Sequence, residues 1–522
     1  MAGPSEVAID YSRAFVMEAP ALADWLVIAP VPYCLIAGAL LMMVRKNAKL
    51  QAKAAIIGLI GLFVMCAALL AHVLDNGPVT MTMGRWLPPF GISFTVDVLG
   101  AILAVTASIV AVACAIYAAE DVDTTGRRYG FFSFLFLMMA GVIGAFVTGD
   151  IFNLYVWFEV LLIASFGLQV LGSDDRQMDG ATKYAFLNLI ATTMFLVATG
   201  YLYGVFGTLN MADIALQARD VDDARPLYTL AALYLFAFGM KAAAFPVSFW
   251  LPASYHTPKV VVSALFAGLL TKVGIYALAR TLLMLFPEQR DAFADVIAWA
   301  AILTMLLGAF GALAQTDYLR LLGYLVVSGI GIMLAGIAVA TAEAVSAAIF
   351  YALHSMVVMT ALYVASGVAA RIGKSFSMNE LGGLYRSNVL FAAMSLILFF
   401  SVSGLPPFSG FWPKAMLVRA SLDTGASGLA TIILLTGFLT TIAVGRVWAH
   451  AYWKPVSENA GVPGSTHIKM TSLLPLFGLV ALTVGFGLFP ETLLQLSDSA
   501  AAGLLDPTDY IQSVFPAEGA VN

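Results

Sequence analysis

Fourteen runs of apolar residues, each near the length of a bilayer-crossing helix, follow one another along this chain, and that succession limits its fold more than any other feature. Bounded by charges, glycine or proline, they fall at 24–44, 54–74, 92–118, 129–149, 151–172, 181–207, 227–247, 258–283, 293–314, 319–341, 344–370, 387–420, 427–450 and 470–490. A helix of about 20 apolar residues spans the hydrocarbon core, and in lipid its backbone groups must be satisfied within the segment. The reading is an all-α polytopic membrane protein of about fourteen transmembrane helices. Its composition agrees: 61% of the 522 residues are hydrophobic and 11% charged, against about 25% charged in soluble domains, which excludes a soluble globule.

A net charge of −5 from residues scattered through loops provides no basic face, so the lipid bilayer is a partner and nucleic acid is not. Cys34, Cys66 and Cys114 sit singly inside apolar runs and read as small core residues. Glu6, Asp10, Arg13 and Glu18 near the start are unlike a cationic n-region, so no cleaved signal is expected. The basic residues set the orientation. Alternate loops beginning with Arg45, Lys46, Lys49 and Lys53, and including Arg127, Arg128, Arg371, Lys374 and Arg386, hold sixteen of the 26, and the opposite loops and termini hold seven. This places the sixteen in the cytoplasm and both termini outside.

The remaining three, Lys241, Lys272 and Lys414, fall inside apolar segments. A lysine at mid-membrane costs about 2.5–3.5 kcal/mol on insertion scales, so it faces a bundle interior, a wet cavity or a partner. Snorkelling to a helix end is the alternative; it is awkward for Lys241 and Lys272, which have apolar turns on both sides, and easier for Lys414. Glu159, in IFNLYVWFEVLLIASFGLQV, is an acid at similar depth, either satisfied in a structural ion pair or poised near a lysine. His354 is embedded in IFYALHSMVVMTALYV, as a hydrogen-bonded helix contact or a relay group. Titratable groups at membrane depth are what proton transfer requires. Of the other histidines, His256 follows the first helix break on the cytoplasmic side, and His72, His450 and His467 lie near span ends; no pair has metal-ligand spacing. Asp150 reads as the N-cap of the Glu159 helix, and Gly200 with Gly204 as a GxxxG signalling close helix packing. Phosphate loops and nucleophile elbows are absent, so neither catalysis nor a bound cofactor or metal is expected.

Two stretches resemble each other: FPVSFWLP from Phe245 to Pro252 and PFSGFWP from Pro407 to Pro413, with Trp250 and Trp412 taken as equivalent, 162 residues apart. Pro246 in the first, and Pro406 and Pro407 in the second, break long apolar helices, each the fourth of a five-span group. Five is odd, so the second group inserts upside down. The expected layout is an N-terminal three-helix segment (1–128), two inverted five-helix repeats (129–283 and 293–450), each with one discontinuous helix, and a C-terminal span with a short tail (451–522).

Taken together, DIFNLYVWFEVL, KAAAFPVSFWLPASYHTP, SALFAGLLTKVGIYALAR, QTDYLRLLGYLVVSGIG, FYALHSMVVMTALY and GLPPFSGFWPK resemble the antiporter-like subunits shared by the Mrp monovalent cation/proton antiporters and the membrane arm of proton-pumping NADH:quinone oxidoreductase. The resemblance covers about 92 to 455. It implies that Glu159 and Lys241 form the charged pair of a first half-channel, that Lys272 and His354 form a central hydrophilic axis, and that Lys414 ends a second half-channel. A lysine at 414 and an end about thirty residues after the last span are most similar to the D-type subunits of the Mrp group. That resemblance implies a bacterial inner-membrane complex exchanging protons for Na⁺ or K⁺, with a large homologous subunit and small hydrophobic ones as partners; the alternative is a proton-pumping subunit of a redox-driven complex. Met359 stands where many relatives carry a lysine, and Leu325 and Gly329 lie where relatives often carry a polar group, so water is expected to bridge the central relay.

Overall fold

The computed structural model describes residues 20–219, 221, 224–455 and 470–515; the acidic residues near the start of the chain and His467 lie outside them. The chain is mostly helical. In order the main elements are α1 (Pro30–Met43), α2 (Ala48–Asn76), β1 (Val79–Thr82), β2 (Ser93–Val96), α3 (Val98–Asp121), α4 (Phe131–Val147), α5 (Ile151–Gln169), α6 (Asp175–Phe206), α7 (Arg225–Ala242), α8 (Trp250–Ser254) and α9 (Val260–Leu285). There follow α10 (Ala294–Ala314), α11 (Tyr318–Val339), α12 (Ala342–Gly373), α13 (Val389–Ser403), α14 (Phe411–Asp423), α15 (Ser427–Trp453), α16 (Met470–Leu488), α17 (Glu491–Leu505) and α18 (Thr508–Val514). Among the described residues, ten helices are long and apolar enough to cross a membrane. α1, α4 and α13 are shorter apolar helices.

Amphipathicity is weak in most of these helices because lipid-facing and core-facing residues are both apolar. Burial therefore decides which are interior. The apolar stretches of α9 and α12 are wholly buried, whereas those of α2, α6, α10, α15 and α16 are mostly uncovered within the chain. α12 lies at the centre, packed against α3, α9, α11, α14, α16 and α17. Cys34, Cys66 and Cys114 are buried and free, as small core residues are.

Two arrangements recur. Asp150 caps α5 by accepting from the Asn153 amide at 2.7 Å, while the Ile151 amide donates to Leu209 and the Met211 amide to Gly149. Asp317 likewise caps α11 through the Arg320 amide at 2.9 Å, with Tyr318 donating to Phe376 and Met378 to Thr316. Each member of the second set lies 167 positions after its counterpart. The capping carboxylates satisfy amides that a helix start leaves unpaired.

Three expectations need correction. The run taken to start a span at 92 begins as a strand: Ser93–Val96 pairs antiparallel with Val79–Thr82, with Val79 opposite Val96. β-Branched Val79, Thr80, Thr95 and Val96 favour that pairing. Gly200 and Gly204 are exposed, and a Cβ at either would meet nothing within 4 Å, so among the described residues they pack against no helix. Beyond the last expected span the chain is not a simple tail: α17 lies against α3 and α12, with the Ser346 hydroxyl donating to Asp498 at 2.5 Å.

Candidate functional site

The first break follows α7. The helix ends at Ala242, Ala243 turns left-handed at φ 62°, and an irregular stretch leads to α8. Pro246 cannot donate a backbone hydrogen bond, which helps keep the segment from continuing as helix. The Trp250 indole N–H closes over the gap and donates to the Met240 carbonyl at 3.0 Å. Lys241 occupies the last turn of α7, where the helix dipole favours a cation.

The second break repeats this design. α13 ends at Ser403, Gly404 is left-handed at φ 84°, and α14 begins at Phe411. Matching Ala243 to Gly404, Pro246 to Pro407 and Ser248 to Ser409 gives a spacing of 161. Trp250 is therefore equivalent to Phe411, not to Trp412, whose indole donates to the Gly487 carbonyl at 2.8 Å instead. The pairing of the two tryptophans fails because sequence similarity slipped one residue from the backbone register. On the same register Lys241 corresponds to Val402 and Lys414 to Ala253, so the two lysines lie on opposite sides of their breaks.

All four basic candidates are interior: Lys241 is 7% exposed, Lys272 1%, His354 1% and Lys414 9%. Snorkelling is thereby excluded for Lys414 as for the others. The Lys241 ammonium lies 5.7 Å from the centre of the Phe158 ring and borders a cavity with Tyr184 and Asn188. Glu159, half-buried on α5, is the next residue after Phe158, whose ring Lys241 faces. No ion pair joins Glu159 and Lys241 among the described residues. Gly274 lets the end of α7 approach α9, since a Cβ there would stand 2.8 Å from the Ala242 nitrogen.

Lys272 follows a π-helical turn, 266–270, and its ammonium donates to the Ala267 carbonyl inside that turn at 2.6 Å. π-Turns in otherwise α-helical segments recur at functional positions. The neighbouring Thr271 hydroxyl is buried with no hydrogen-bond partner among the described residues, a place suited to water. Lys272 also borders a largely apolar cavity with Leu103, Tyr276 and Ile349.

His354 is buried on α12. Its Nδ1 is 2.8 Å from the Ser409 hydroxyl, which is 3.0 Å from that of Ser401, so the imidazole is tied directly to the second break. Lys414 donates to the carbonyls of Val402 and Ser403 at 3.1 and 2.9 Å. The structure thus buries Lys272, His354 and Lys414 in the interior, with His354 and Lys414 both bonded to the second break, and sets Lys241 against Phe158, the neighbour of Glu159 on α5.

Outside the membrane-spanning segments, His256 takes a fixed tautomer. Its Nε2 accepts from Arg320 at 3.1 Å, so Nδ1 carries the hydrogen and donates to the Pro252 carbonyl at 3.0 Å. Burial, then the Arg320 guanidinium, push its pKa down to about 4.

Two features escaped the sequence reasoning. Arg280, counted there with the outer loops, is fully buried on α9 and paired with Asp97 at 2.5 Å. It also donates to the Tyr276 hydroxyl and lies over the rings of Tyr276 and Tyr510. Its position at the end of an apolar run looked like a loop boundary, and only the tertiary partner Asp97, 183 residues away, distinguishes it. Tyr351, one turn before His354, is the second. Tyrosine is common in membrane helices, and nothing local marks this one.

The arrangement can hold protons at separate buried bases and pass them over short gaps filled by hydroxyls or water. Comparison with known proteins agrees with its character. Residues 148–440 match the family model described as NADH:quinone oxidoreductase/Mrp antiporter, TM. The chain is 37% identical to the D-type Na⁺/H⁺ antiporter subunit of Alkalihalophilus pseudofirmus, covering 94% of this chain and 99% of that one. It is 34% identical to the D-type Na⁺/H⁺ antiporter subunit of Bacillus subtilis, again over 94% and 99%. A subunit in the structure of the Mrp complex from Dietzia sp. DQ12-45-1b superposes with a TM-score of 0.87 at 29% identity, covering 95% of this chain and all of that one.

Proposed function

Because the chain belongs to the NADH:quinone oxidoreductase/Mrp antiporter family of membrane subunits, we propose that it conducts protons in a multisubunit Na⁺ or K⁺/proton antiporter driven by the proton motive force. The observation that carries this reading is the burial of three lysines and a histidine in one bundle, two of the lysines beside helix breaks. Groups this expensive to bury are kept for transfer of charge.

In this reading the bundle has fourteen spans: the ten long helices, α1 and α4, and the two interrupted helices α7–α8 and α13–α14. Residues 129–283 and 293–450 form inverted repeats, a view supported by the caps and backbone bonds repeated at 167 positions. Both termini face outward across a bacterial inner membrane, and the chain assembles with a large homologous subunit and small hydrophobic ones. Glu159 and Lys241 act as a coupled pair: when the carboxylate withdraws, the ammonium loses its stabilisation and gives up a proton. Lys272 and His354 carry it along the centre, and Lys414 delivers it. The chain acts as a subunit of a secondary transporter, and its chemistry is limited to proton transfer.

Gentle purification from native membranes, with mass spectrometry of every co-purifying subunit, tests the assignment. A large homologous subunit and small hydrophobic partners support it. Peripheral iron–sulfur subunits would instead make this chain part of a redox-driven pump.

A further inference from the structure

Positions 325 and 329 of α11 are leucine and glycine, so neither brings a titratable group to the cavity beside Lys414, which α11 lines with Leu325, Ser328 and Ile332. A phenol reaches that space from α12. A Cβ placed on Gly329 would stand 3.0 Å from the Tyr351 hydroxyl oxygen, so the absence of a side chain at 329 is what admits the phenol. Tyr351 and Lys414 border the same cavity, together with Ser328, Thr436 and Thr440. Tyr351 is also one helical turn from His354, with ring centres 5.4 Å apart.

Among the described residues, hydrogen-bond accounting leaves two hydroxyls facing this space without a protein partner, Ser328 on α11 and Tyr351 on α12, and it is Tyr351 whose ring also lies against His354. The Thr436 and Thr440 hydroxyls spend their hydrogens on carbonyls of their own helix, at 2.9 Å to Ile432 and 2.7 Å to Thr436. Lys414 commits two of its three N–H groups to Val402 and Ser403, leaving one for the cavity. His354 commits Nδ1 to Ser409. Among the described residues the Tyr351 hydroxyl makes no hydrogen bond to protein, although it is 4% exposed and needs a partner. One cavity water between it and Lys414 would satisfy both.

We propose that Tyr351 is the proton-carrying group between His354 and Lys414, supplying from α12 the polar atom that positions 325 and 329 lack. This rests on the proton path of the proposed function. The transfer is balanced: the phenol oxygen accepts a proton from one neighbour as its own O–H bond breaks towards the other, and Tyr351 is neutral before and after.

The test is cation-driven proton flux through the whole complex in membrane vesicles, with assembly checked for each variant. Tyr351→Phe keeps the ring and removes one oxygen, and flux falls on the order of tenfold or more. Adding Gly329→Ser to Tyr351→Phe puts a hydroxyl back where the phenol oxygen stood and recovers part of the flux, which a packing role for the ring does not explain. Should Tyr351→Phe assemble poorly, Tyr351→His reads the same question: flux persists if a proton carrier is what the site needs. Wild-type flux in Tyr351→Phe, with flux lost in Lys414→Ala, overturns the role of Tyr351 and leaves the path standing. Flux surviving in Lys414→Ala overturns the path itself and this proposal with it.

Discussion

The Lys414 ammonium reaches back across an interrupted helix and donates to the carbonyl of Ser403 at 2.9 Å, eleven residues earlier, and to that of Val402 at 3.1 Å. A helix end leaves such carbonyls unpaired, and its dipole favours a cation there. The cost of breaking the helix is thus offset in part by the Lys414 charge. At the first break the corresponding bond comes from the Trp250 indole, while Lys241 stays in the final helical turn.

Lys414→Arg separates the two roles of that side chain. Arginine keeps the charge and the donors but does not release its proton in proteins. The variant should assemble at wild-type levels with proton flux reduced at least about tenfold. Normal flux in membrane vesicles would take Lys414 out of the path.

The proposed coupling of Glu159 to Lys241 is electrostatic and involves no ion pair among the described residues, so the charge of Glu159 should matter more than its shape. Glu159→Gln keeps the volume and removes the charge, and flux should drop on the order of tenfold. Glu159→Asp should keep a measurable fraction. The same assay decides, and equal activity in both variants contradicts the coupling.

Arg280 and Asp97 form a buried pair whose rupture strands a charge, at a cost of about 3–5 kcal/mol. Asp97→Ala should sharply lower the thermal stability of the purified complex; it also removes the α3 cap, in which Asp97 accepts from the Gly100 amide at 3.0 Å. Combining Arg280→Leu with Asp97→Asn leaves no stranded charge and should recover much of the loss. A double variant no more stable than Asp97→Ala would show that the pair is not the source of the effect.

His256 should make the connection between α8 and α9 acid-sensitive. The unfolded chain takes up a proton near the ordinary histidine value of about 6.5, whereas the folded chain resists until about pH 4. The folded state therefore loses stability as pH falls through that window and gains nothing above it. His256→Gln should narrow the difference between unfolding temperatures at pH 7.5 and pH 5. An unchanged difference would place the acid sensitivity elsewhere.

Much of this was legible in the sequence because lipid imposes a simple rule: long apolar runs become helices, and a lysine inside one must be interior. Lys241, Lys272 and Lys414 stood out on that ground alone, and Pro246 and Pro407 marked both interruptions. Asp150 was recognisable as a cap because its role is local. What failed depended on distant partners. Arg280 is interior because Asp97 meets it, Tyr351 reaches its cavity because residue 329 on another helix is glycine, and Trp412 follows a backbone register that its own motif does not reveal. The open face at Gly200 and Gly204 failed for the converse reason, since a spacing motif does not state whether the helix it would meet belongs to the same chain.

The central claim is that protons cross through the buried lysines, and Lys272 tests it most directly, since its helix is entirely interior and its ammonium is held by the Ala267 carbonyl. Cation-driven proton flux should be measured in vesicles carrying the whole complex with Lys272→Ala, alongside the amount of assembled complex. The account predicts normal assembly with flux lost; normal assembly with wild-type flux would contradict it.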